Sequence, residues 1–141
     1  MILPDVNVLV YAYRDDLPRH AESRAWLDAM LSGDEPVALA PAVVSGFVRV
    51  VTSFRTLAEP TPLAEALRAA EALVSHPKCV VLRPGAAHIG TFLRLCREGE
   101  AKGRLVSDAY LAAVAIDQGC ELVTYDHDFA RFPSLRWRTP G

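Results

Sequence analysis

Short apolar runs alternate with helix-length stretches along this chain, and that alternation restricts the fold more than any other feature. The runs are Met1–Leu3, Val37–Ala40, Cys79–Leu82 and Glu121–Tyr125, with Leu135–Arg138 as a fifth at an edge. Between them, Val6–Tyr13 reads as a helical turn or two. Pro18–Leu31, Ala42–Ser53, Leu63–Ser75, Ala86–Arg97 and Ser107–Gln118 read as helices. On the first long helix Ala21, Ala25, Trp26, Ala29 and Met30 share a face. Gly33 and Gly119 are plausible stops, and Thr61-Pro62 and Ser107 are plausible starts. Strands that follow one another through helices pair in parallel. The expectation is an α/β fold with a mostly parallel, about five-stranded sheet, as a single domain over residues 1–141.

At 51% hydrophobic residues the chain can bury a sizeable core. Its net charge of −2 excludes a uniformly basic, nucleic-acid-coating surface. The positive charge is nearly all arginine, with only Lys78 and Lys102 as lysines. Cys79, Cys96 and Cys120 show no metal-type spacing and read as small apolar residues in a reducing cytoplasm. The most apolar stretch, Val37–Val51, is broken by Pro41, Gly46 and Arg49, so no membrane span is expected.

The chemistry lies in four aspartates. Asp5 follows the first apolar run, Asp126 and Asp128 follow the fourth, and Asp108 stands in Ser107-Asp108-Ala109-Tyr110, at what reads as a helix start. In a parallel sheet, residues just past strand ends collect along one edge, where such folds build their sites. The Asp-x-Asp pair, read as extended, sends both side chains to one side. Taken singly, each acid is more economically a cap or turn residue. Taken together they form an all-oxygen set suited to Mg²⁺ or Mn²⁺. Such a set can serve water-driven phosphodiester hydrolysis. Asn7 and Thr124 are candidate donors that orient the carboxylates. Arg49 is a candidate phosphate contact, or else a rim charge paired with an acid. No glycine-rich phosphate loop and no Ser-His-Asp arrangement is legible.

Three segments carry a resemblance: Asp5-Val-Asn-Val-Leu, Val106-Ser-Asp-Ala-Tyr-Leu-Ala-Ala-Val-Ala and Leu122-Val-Thr-Tyr-Asp-His-Asp-Phe-Ala-Arg-Phe. In order and over essentially the whole chain, they resemble the PIN-domain family, closest to VapC-type toxins of bacterial toxin–antitoxin pairs. The resemblance implies a PIN-like three-layer α/β/α fold and a Mg²⁺- or Mn²⁺-dependent endoribonuclease acting on structured RNA such as tRNA or rRNA. It also implies a homodimer, with Trp26, Leu27 and Leu31 as candidate interface residues, and a small VapB-like antitoxin as partner. The family's acids fall on Asp5, Asp108 and Asp126, with Asp128 beside the last. One position departs: where many PIN proteins carry a Glu, this chain has Gly46, followed by Phe47-Val48-Arg49. A subgroup of VapC-like proteins looks similar there. The lost side chain is expected to leave room for water, substrate or an antitoxin side chain. It also sustains an alternative reading, a catalytically degenerate PIN domain that binds RNA or an antitoxin without cutting. A haloacid-dehalogenase-like phosphohydrolase fits less well, because Asn7 stands where that family wants a second Asp. A receiver domain fits less well still.

Overall fold

Ile2 and Leu3 are almost wholly buried, as befits a strand covered on both faces. They open β1 (Ile2–Pro4), the centre of the sheet in the computed structural model, which describes residues 1–141. Pro4 is tolerated as the last residue of that strand, where its missing N–H ends the pairing on one side. The chain continues through α1 (Val6–Tyr13), α2 (His20–Ser32), β2 (Val37–Leu39), α3 (Pro41–Val51), α4 (Leu63–Val74) and β3 (Cys79–Val81). It ends with α5 (Ala87–Glu98), α6 (Arg104–Gln118), β4 (Glu121–Val123), a single 3₁₀ turn (His127–Arg131) and β5 (Trp137–Arg138).

All pairings are parallel, in the order β3-β2-β1-β4-β5. Register is fixed by Ile2 opposite Val37 on one side and Leu3 opposite Leu122 on the other. The chain winds outward from β1 to β3 and then returns to lay β4 on the other flank of β1. The winding direction therefore reverses between β1 and β4, and their carboxyl ends frame the crevice where doubly wound sheets place their sites. Six helices flank the sheet as an α/β/α sandwich. Helix α1 packs on α2 and α3, α3 on α4, and α5 on α6.

Several local expectations are corrected. On α2 the buried residues are Ser23, Trp26 and Leu27, whereas Ala21, Ala25 and Ala29 face solvent. Alanine is cheap to expose, so the larger side chains decide the inward stripe. Ser23 is buried because its hydroxyl bonds the Tyr125 hydroxyl at 2.7 Å. Trp26 and Leu27 are buried in this chain's own core, and Leu31 is half-buried; Leu27 and Leu31 line an apolar cavity at the surface. Thr61 does not cap α4; its hydroxyl accepts from Arg14 Nη1 at 3.1 Å instead. Strand β3 is half exposed at the sheet edge, with Val80 and Val81 open. All three cysteines are free thiols; Cys120 is buried, and Cys79 and Cys96 are half-buried. No helix is long and apolar enough to cross a membrane.

Candidate metal centre

The site begins with Asp5, which leaves β1 and caps α1. Its Oδ1 accepts the Val6 N–H at 2.7 Å. Its Oδ2 accepts from the Thr124 hydroxyl at 2.7 Å and from Asn7 Nδ2 at 3.3 Å. Thr124, directly after β4, in turn accepts from Asn7 Nδ2 and from the Asp126 N–H, at 3.2 and 3.0 Å. Asn7 Oδ1 accepts the Tyr125 N–H at 3.2 Å. Thus Asn7 and Thr124 lace the ends of β1 and β4 together, the positioning arrangement their place in the sequence suggested. Asp5 is only 9% exposed. Burial raises its pKa, the bonds from Thr124 and Val6 oppose the rise, and the Asp126 charge adds to it.

Asp126 and Asp128 do not lie in an extended loop. Asp126 caps the 3₁₀ turn by accepting the Asp128 N–H at 2.9 Å. The short turn still brings the two carboxylates together, because it compresses what an extended strand would have separated. Asp108 is also placed differently from expectation. Helix α6 starts at Arg104, so Ser107 is not its cap and Asp108 is its fifth residue, past the first turn. The capping explanation for Asp108 therefore falls away, and its position answers to the site.

Carboxylate oxygens of Asp108, Asp126 and Asp128 all lie within 4.8 Å of one another. Asp5 stands outside this trio, with both oxygens engaged, but shares a cavity of about 570 Å³ with Asp108. Asp108 Oδ2 is buried and has no hydrogen-bond partner. Burial, then the charges of Asp126, Asp5 and Asp128, push the Asp108 carboxyl up to about 6, with Arg104 opposing. Arg104 reaches Asp128 at 3.2 Å across an exposed gap. Sequence reading missed it, although it stands one helical turn before Asp108 and was findable once the start of α6 was placed correctly. An unpaired buried carboxylate among further carboxylates, with only oxygen donors at hand, is the environment a hard divalent cation fits.

Arg49 lines the same cavity, is exposed and makes no ion pair, which disposes of the paired-rim explanation. Phe92 and Tyr110 form a further wall that the sequence did not single out. Gly46 lines the cavity shared by Asp5 and Asp108, so open space does adjoin it, but a Cβ there would lie 2.6 Å from Val6 Cγ2. The glycine lets the first turn of α1 press against α3, so Val6 occupies the direction the missing Glu would take.

Buried Asp5 and the half-buried trio Asp108, Asp126 and Asp128 stand at the β1–β4 crevice of a five-stranded parallel α/β/α sandwich, an acidic, all-oxygen class of site. The PIN-domain family model matches residues 2–135, and the chain belongs to the PIN-domain family. Among its relatives is Ribonuclease VapC43 of Mycobacterium tuberculosis, 44% identical, with 99% of this chain and 95% of that protein covered. Ribonuclease VapC25 of the same organism is 39% identical, with 99% of each covered. Solved structures agree in fold at low identity. VapBC2 from Rickettsia felis bound to a promoter DNA fragment has a TM-score of 0.73 and 18% identity over 99% of this chain and 98% of that one. M. tuberculosis VapC20, described as a sarcin-ricin loop cleaving toxin, gives 0.69 and 19% over 92% and 93%.

Proposed function

We propose that this chain is a VapC-type endoribonuclease toxin that hydrolyses structured RNA with Mg²⁺ or Mn²⁺. The observation that carries the reading is Asp108: a half-buried carboxylate with a shielded, unpartnered Oδ2 beside Asp126 and Asp128 is unfavourable unless a cation completes it. Asp108, Asp126 and Asp128 would hold the ion, with Asp5 completing the set. A divalent ion bound there supplies charge neutralisation and a more acidic water. The chain's own residues do the rest. Thr124 and Asn7 hold the Asp5 carboxylate in one orientation, and Arg49 offers an unpaired guanidinium to an RNA phosphate.

The relatives' description as ribonucleases supports RNA cleavage, and VapC20 supports a structured ribosomal target. Neighbours solved as VapBC complexes support a VapB-like antitoxin partner. We place the activity in the cytoplasm, in a homodimer. A second reading, binding without cutting, draws on Gly46, since Val6 fills the place where a further acid would stand.

Incubation of total cellular RNA with purified protein and Mg²⁺ or Mn²⁺, beside an Asp5→Asn/Asp108→Asn control, decides between the two. Discrete fragments from the native chain, absent in the control and with EDTA, are expected. Identical RNA profiles for both proteins would establish the non-cutting reading.

A further inference from the structure

The cavity over the acids does not end at Asp5. On the other side of the first turn of α1 a second hollow of about 340 Å³ opens, sharing Asp5 and Val6 with the first. Leu17, Val50 and Leu57 form its apolar walls, Tyr11 is its aromatic side chain, and Asp5, Asn7 and Thr56 bring polar atoms to it. Tyr11 is held in place. Tyr125 meets it edge-on, centroids 5.5 Å apart at 84°, and its carbonyl lies 2.8 Å from His20 Nδ1. Tyr125 is fixed in turn by the Ser23 hydroxyl and by the Arg19 guanidinium 4.4 Å above its ring. A ring already ordered before binding loses little freedom on binding.

No cationic side chain lines this hollow, so it is not a second phosphate site. The unpaired arginine, Arg49, lies on the far side of Asp5, in the acid cavity. Of the polar groups at the hollow, the Asn7 amide is spent on Asp5, Thr124 and Tyr125. The Thr56 hydroxyl donates to Val50 and Ser53 carbonyls, which leaves its oxygen free to accept. A flat aromatic wall, aliphatic edges and one acceptor, beside a phosphate-cutting centre, match an unstacked nucleobase. The volume is within the range of small-ligand pockets.

We infer that this hollow receives the unpaired base of a nucleotide adjoining the scissile phosphate, stacked on Tyr11. The inference rests on the ribonuclease reading above. With few polar groups beside the apolar walls, the subsite selects for a base that is free of pairing more than for which base it is.

Methyl NMR of the full chain with Mg²⁺ tests it, using adenosine and uridine 5′-monophosphates, ribose 5-phosphate and N-acetyltryptophanamide as probes. Both nucleotides are expected to shift the Leu17, Val50 and Leu57 methyls, and ribose 5-phosphate to leave them in place. Tyr11→Leu, which keeps apolar bulk, should weaken nucleotide binding about ten-fold, and Tyr11→Phe should bind as the native chain does. Equal shifts with ribose 5-phosphate, or native affinity in Tyr11→Leu, would overturn the inference. So would a stronger response to N-acetyltryptophanamide than to either nucleotide, which would assign the hollow to a protein side chain. RNA cleavage separates the two levels. Cleavage by Tyr11→Leu at native KM removes the subsite and leaves the ribonuclease. No cleavage by the native chain, with nucleotides still moving these methyls, removes the ribonuclease and leaves a nucleotide site.

Discussion

Replacing Asp108 by asparagine should stabilise the cation-free protein while abolishing cleavage. The Asp108 carboxyl rises from 3.8 to about 6 in the fold, chiefly through burial and then through repulsion from its neighbouring acids. A carboxyl whose folded pKa exceeds its unfolded value weakens the fold once ionised. The penalty grows from about pH 4 to about pH 6 and is complete above that. Roughly two units at about 1.4 kcal/mol each set a ceiling near 3 kcal/mol. Asp108 is only partly shielded from water, so screening reduces this to about 1.5 kcal/mol. For a domain of this size that is about 5 °C in Tm. Asparagine has the same shape, carries no charge, and can donate to Asp126 or Asp128. Thermal melts in EDTA at pH 8 should place Asp108→Asn about 5 °C above the native chain. The gap should shrink as pH falls through 6 to 4. Adding Mg²⁺ should raise the native Tm and leave the variant nearly unmoved. A variant that melts at or below the native chain in EDTA at pH 8, or a gap indifferent to pH, would refute the argument that this carboxylate is strained by its neighbours.

The same titration predicts that apparent Mg²⁺ affinity falls steeply as pH drops below about 6 and is level above it, measurable by calorimetry. Thr124→Val leaves Asp5 Oδ2, Asn7 Nδ2 and the Asp126 N–H each short of a partner. It should cost about 1–3 kcal/mol in urea unfolding and cut cleavage by about ten- to hundred-fold. Gly46→Ala should cost about 1–3 kcal/mol through its contact with Val6, and Val6→Ala in the same chain should restore most of that loss. Arg49→Gln should raise KM for RNA with little change in kcat, and flatten the dependence of binding on salt by about one phosphate contact.

The sheet was legible because its signal is local: short apolar runs closed by Pro or an acid, with helix-length stretches between. Asp5, Asp126 and Asp128 were legible for the same reason, since each sits just past a run, whereas Asp108 lies within a helix and was picked out by its place in Ser107-Asp108-Ala109-Tyr110. What misled was competition between two local rules. Ser107-Asp108 looks like a helix start, yet α6 begins at Arg104 after Gly103, whose positive φ of 58° lets the chain turn into the helix early. Asp126-His127-Asp128 looks extended, yet Asp126 captures the Asp128 N–H and winds the chain into a 3₁₀ turn. The sequence shows at Gly46 that an acid is missing, but only packing shows that Val6 takes its place. The hollow beside Tyr11 has no sequence signature, because residues near 11–17 and 50–57 meet only after α1 and α3 have packed.

The lacing of Asp5 to Thr124 has a consequence for synthesis. Residue 5 leaves the ribosome well before its partner, which lies 119 positions later. Until Glu121–Val123 has emerged, β1 lacks its neighbour on that flank, and the acids at 126 and 128 do not yet exist. A growing chain thus carries Asp5 and then Asp108 without Asp126 and Asp128, and the four acids are not yet together. A chain of this family is therefore assembled with its acids apart until the segment holding Glu121–Val123 and Thr124 is made.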